Sequence, residues 1–144
     1  PDLIEETAPD VVVIAMGTNQ YPGTPAGAEP SMRKMLKAAQ AKGGRCVWVG
    51  PPEVGFISIE KQKDFYAMFE RLAREERCLL LDSRGETNVA DTDSMKTHYP
   101  GKPGKAWGAA MGSRVLQFVR ESGSTTNRSG RSALPANRAA TEAN

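Results

Sequence analysis

Five consecutive residues, Val11 to Ala15, read Val-Val-Val-Ile-Ala and are closed by Gly17. A continuous, mostly β-branched apolar run of this length fits a strand covered on both faces, not a half-exposed strand, which would alternate. Two shorter runs follow, Cys46 to Val49 and Cys78 to Leu81. Between the first two, Ser31 is placed to cap a helix in which Met32, Met35, Leu36 and Ala39 recur at helical spacing, ending at Gly43-Gly44. Phe65, Met68, Phe69 and Leu72 form the clearest apolar stripe, ringed by charged residues. A polar stretch from Asp82 to Pro103 leads to a last helix carrying Trp107, Met111, Val115, Phe118 and Val119, with Pro103 in its first turn. Strand, helix, strand, helix, strand, loop, helix predicts an α/β fold. The expected form is a three-layer α/β/α sandwich with a parallel sheet and right-handed crossovers.

Such a sheet is small. Val11–Ala15 reads as a central strand, yet only two later strands are available to flank it. The expectation is that its other neighbour is missing and the domain is incomplete at its N-terminus. The abrupt lead from Leu3, Ile4 and Ala8 into that strand points the same way. At the other end, residues 121–144 are rich in Ser, Thr, Asn, Gly, Ala and Arg with one leucine, too little apolar surface to offset ordering entropy. The reading is an α/β domain over residues 1–120 and a flexible tail over 121–144.

Composition narrows function by exclusion. A net charge of +2 over 144 residues is too weak to argue for nucleic acid. No stretch approaches 18 apolar residues, so no membrane span is read. A secreted or periplasmic location follows only if an upstream signal has been removed. The single histidine excludes a multi-histidine metal site, neither glycine-rich phosphate loop is present, and no cofactor is expected. Cys46 and Cys78 each begin a buried strand and read as buried free thiols. Trp48 and Trp107 read as packing residues.

In a parallel α/β sheet, ligands bind at the carboxyl ends of the strands. Those ends are Gly17-Thr18-Asn19, Gly50-Pro51-Pro52 and the loop after Leu81, which contains His98. The Asn19 amide is either a donor to a developing oxyanion or the centre of an Asx turn. His98 is either a general base oriented by a carboxylate or a solvated surface residue. Asp93 and Asp91 are within reach of it if the loop folds back, and Asp82 at the strand end is either a third candidate or structural. The run Gly101 to Lys105 either attracts an acidic substrate or simply starts a helix. Met16, Met95 and Phe56 are apolar residues near the same rim.

Pro9 to Gln20, PDVVVIAMGTNQ, resembles the third conserved block of the SGNH hydrolases, the GDSL esterase/lipase family. That block reads Gly-x-Asn-Asp after an apolar strand; Gly17 and Asn19 match, and Gln20 replaces the aspartate. Val89 to Gly112 resembles the family's last block, in which an aspartate and a histidine precede the final helix. Val47 to Pro52 fits the strand end before the family's variable loop. The resemblance spans residues 1–120 and implies a flavodoxin-like sheet topology and serine-dependent hydrolysis of acyl or acetyl esters, with an acyl ester or an acetylated glycan as substrate. Asn19 and Gly17 would serve the oxyanion and His98 would be the base. The family aspartate usually stands three residues before the histidine, where this chain has Met95; Asp93 takes the role, with Asp91 the alternative.

The family's Gly-Asp-Ser block has no counterpart here, and Ser31, Ser58, Ser83 and Ser94 do not follow a strand in its context. The resemblance therefore implies a nucleophile segment outside this chain, on a second chain or upstream, and an inactive isolated chain. The competing expectation is a noncatalytic binding or scaffold domain derived from such a hydrolase.

Overall fold

The computed structural model describes residues 3–129, the side chains of 122–129 excepted. After a short helix α1 (Leu3–Thr7), strands β1 (Val11–Ala15), β2 (Arg45–Val49) and β3 (Leu79–Leu81) alternate with helices α2 (Pro25–Ala39) and α3 (Ile59–Glu75), and α4 (Lys102–Ser129) closes the order. The strands lie in the order β1-β2-β3, all parallel, with Val13 beside Val47, and Val47 beside Leu79. This is a small α/β domain with a three-stranded parallel sheet flanked by helices, as the strand–helix alternation predicts.

The layers follow from the two-residue period of the strands. Ile14, Cys46 and Trp48 face α2 and α3 and join Met32, Leu36, Phe65, Phe69 and Leu72 in one buried cluster. Val47, Val49 and Leu81 face the other way, against Met111, Trp107 and Val115 of α4. The predicted stripe of α3 is thus its buried face. Two arginines tie α2 to α3: Arg33 reaches Glu29, Glu75 and Glu76, and Arg71 reaches Glu29 and Glu75.

Two expectations need correction. Cys46 and Cys78 are not free thiols but a disulfide with Cα atoms 4.6 Å apart. They sit at the starts of neighbouring strands, and parallel pairing brings residues at equivalent depth together. Ser31 does not cap α2. Thr24 does, accepting from the Gly27 N–H at 3.1 Å, with Pro25 at the first helical position. Pro30 lies inside the helix on its exposed side, so the helix continues through a residue that usually ends one; the Ser31 hydroxyl donates back to the Ala28 carbonyl instead. The last helix runs to Ser129, into the segment read as a tail, and residues 130–144 of that segment lie outside the described residues.

Candidate active site

The carboxyl end of β1 turns sharply. Gly17 has φ of +148°, and a Cβ there would sit 2.6 Å from the Pro51 ring and 3.3 Å from Phe69. Only glycine fits this backbone and this close approach. The turn is fixed from beside it by the Trp48 indole N–H, which donates to the Met16 carbonyl at 2.9 Å. Thr18, Asn19 and Gln20 then form a 3-10 turn, and Asn19 is exposed on it.

The loop between β3 and α4 folds back on itself at Asp93–His98. The Asp93 N–H donates to the His98 carbonyl at 2.8 Å, and one Asp93 carboxylate oxygen accepts from the Thr97 N–H at 3.0 Å and the His98 N–H at 3.3 Å. The other carboxylate oxygen lies 2.8 Å from Nδ1 of the His98 ring. These donors, the Thr97 amide foremost, hold the Asp93 carboxyl down at about 2. An ionised carboxylate on Nδ1 is satisfied when that nitrogen carries the ring proton, which leaves Nε2 as an acceptor. The His98 side chain is 68% exposed, so Nε2 is not sealed inside the protein.

The two rim segments meet in a crevice of about 250 Å³ lined by Ala15, Met16, Gly17, Thr18, Asn19, Gln20, Thr97 and His98. Gly17, Asn19 and His98, separated by some 80 positions in sequence, therefore share one opening, and Asp93 supports it from behind. Asp91 belongs to a short 3-10 turn (Val89–Asp91) and is exposed; Asp93 is the carboxylate on the imidazole. Asp82 is bonded through both carboxylate oxygens to Arg84 and does not line this crevice. The guanidinium of Arg84 in turn lies 3.7 Å over the Tyr66 ring.

Ser31, Ser58, Ser83 and Ser94 do not line this crevice. Ser58 caps α3, the buried Ser83 hydroxyl donates to the Gly50 carbonyl at 2.7 Å, and Ser31 is bonded within α2. Sequence reasoning missed Thr18 and Thr97 as crevice residues, although their places beside Asn19 and His98 were the available signal. Met16 lines the crevice, while Met95 and Phe56 are exposed outside its lining. Trp48 is fully buried, and Trp107 packs in the α4 layer.

No family model matches this chain, and no curated protein matches it.

A second opening of about 350 Å³ lies between the start of α3 and the end of β3, lined by Glu53, Lys63, Asp82 and Arg84 among others. It is larger, but its principal acid and base are already paired with each other and it holds no imidazole. Among the described residues no cluster of three metal-ligating side chains occurs, and no helix is long and apolar enough to cross a membrane.

Proposed function

We propose that this chain carries the base and oxyanion half of an SGNH-type serine ester hydrolase. One observation carries the reading: the Asp93–His98 pair and the Gly17–Asn19 turn open onto the same crevice. In this reading the sheet is the carboxyl-terminal portion of a flavodoxin-like domain. A further segment, on a second chain or upstream, lies along β1 and brings the serine. Val13, at the middle of β1, is 47% exposed, which is unusual for the centre of an apolar β-branched run and leaves room for that segment.

The chemistry follows from the groups. The serine hydroxyl gives its proton to Nε2 of His98 as its oxygen attacks the ester carbonyl carbon. The imidazolium formed is stabilised by the Asp93 carboxylate already seated on Nδ1. The carbonyl oxygen gains negative charge, and the Asn19 amide and the Gly17 N–H donate to it. His98 returns the proton to the leaving alcohol; water then repeats the sequence on the acyl-serine. The substrate is an acyl ester or an acetylated glycan. No nucleic-acid or membrane partner enters this reading.

The test is ester hydrolysis by the gene product containing the nucleophile segment. His98→Ala is expected to lower kcat/KM by about 10³-fold, and Asn19→Ala by about 10²-fold. Unchanged activity in His98→Ala rules out the assigned base. A second reading, a noncatalytic binding or scaffold domain, is favoured by the absence of a serine from the crevice lining. It expects no hydrolysis from any form of the protein.

A further inference from the structure

The Cys46–Cys78 bond lies at the amino end of the sheet, away from the crevice, yet the two are joined by one short strand. β3 has three residues and pairs with β2 through three residue pairs only. It is an outer strand, with Leu79 38% exposed. Its carboxyl end is well held: the Gly50 N–H donates to the Leu81 carbonyl at 3.0 Å, Ser83 bonds Gly50, and Arg114 donates to the Asp82 carbonyl at 2.7 Å. Its amino end is held by the disulfide and by the Cys78 N–H on the Ala73 carbonyl at 2.8 Å. From β3 the chain runs to α4 through the segment that carries Asp93 and His98.

We propose that the Cys46–Cys78 bond is a thiol-sensitive staple that keeps β3, and through it the Asp93–His98 segment, in register, and that the chain works in an oxidising compartment. A parallel ladder of three pairs is a weak attachment alone. The covalent link closes a loop 32 residues apart in sequence, which removes a large part of the unfolded chain's freedom. Both cysteines are buried, at 2% and 7% exposure, so a reductant reaches the sulfurs only when β3 opens. Reduction by a dithiol proceeds through a mixed disulfide. The reagent closes to a cyclic disulfide, the Cys46–Cys78 bond takes two electrons, and each sulfur ends as a protonated thiol. In a glutathione-buffered compartment each opening of β3 exposes the bond to that loss. The inference does not rest on the hydrolase reading, and its test uses no substrate.

The 144-residue chain, purified in air and denatured with an alkylating reagent, is expected to show no alkylated cysteine, and two after dithiothreitol. Reduction is expected to lower Tm by on the order of 10 °C. It should also raise amide exchange in β3 and residues 82–98 roughly tenfold more than in α2. The paired substitution Cys46→Val with Cys78→Val, which keeps the volume filled, should reproduce both effects; the reduced wild-type chain supplies them should that variant not fold. Two alkylatable thiols in the unreduced denatured chain overturn the proposal, as does a Tm within about 2 °C and unchanged exchange after reduction. Acid-quenched alkylation in the source cells tests the compartment: an oxidised pair supports it and a reduced pair overturns it.

Discussion

The two faces of the sheet are built differently. On the α2/α3 face, Trp48, Phe65, Tyr66 and Phe69 are fully or almost fully buried and meet edge to face or tilted, with Trp48 and Phe69 ring centres 4.8 Å apart. The disulfide lies in that layer, and the Arg33 and Arg71 ion pairs hold its helices together outside it. On the α4 face a single helix covers Val47, Val49 and Leu81, while Val13 on β1 and Leu116 on α4 stand 47% and 55% exposed. The first face is closed by the chain itself. The second is closed over β2 and β3 and reaches β1 only at Val11, leaving Val13 uncovered. The crevice lies at the carboxyl end of that under-covered strand. The difference leaves apolar surface at the middle of β1 uncovered, which is where the proposed nucleophile segment would have to dock.

Substitutions should separate the faces. Phe69→Ala is expected to cost about 3–5 kcal/mol in urea unfolding, because its ring is enclosed on all sides. Met111→Ala, the buried anchor of α4, should cost about 2 kcal/mol, since neighbouring α4 positions are half-exposed and solvent partly fills the space. Equal costs would erase the distinction between the layers. Val13→Ser should stay within about 0.5 kcal/mol in the isolated chain. In a gene product with the proposed segment docked, the same substitution should approach the cost of a core position. An identical small cost in both forms would argue that β1 remains an open edge.

The smallest effect belongs to the Asp93 turn. Its carboxyl value of about 2 lies below the ordinary 3.8, so its contribution is complete above about pH 4 and is lost as pH falls through about 2. The Thr97 amide, bonded to that carboxylate, should keep its protection from exchange at pH 4 and lose it near pH 2, and Asp93→Asn should weaken it at neutral pH. Protection lost well above pH 4 would mean the carboxylate does not organise the turn.

Much of the fold is legible because the apolar runs place the three strands and the Phe65–Leu72 stripe sets the buried face of α3; the burial of β1 is not, since it lies at an edge of the sheet and only Ile14 of its five residues is buried. The start of α2 is not legible from Ser31: Thr24 caps it, and the burial of Met32, Leu36 and Ala39 on one face carries the helix through Pro30. The disulfide was missed because strand register decides it, and two isolated cysteines do not announce their register. Of the candidate site, the meeting of His98, Asn19 and Gly17 at one rim is legible, since strand ends converge. The choice of Asp93 over Asp91 rests on a five-residue loop closing through backbone bonds to the carboxylate, which spacing alone left open. Crevice residues such as Thr18 and Thr97 carry no signal apart from their neighbours.

The central claim is that this chain supplies base and oxyanion donors to a serine that it does not itself place in the crevice. The direct measurement is phosphonylation by a fluorophosphonate ester, followed by peptide mapping. Expected is a single labelled serine, outside residues 1–144, in the gene product that contains the proposed segment, with labelling lost in His98→Ala and absent from the 144-residue chain. A label on Ser31, Ser58, Ser83, Ser94 or Thr18, or none in any form of the protein, would contradict the account.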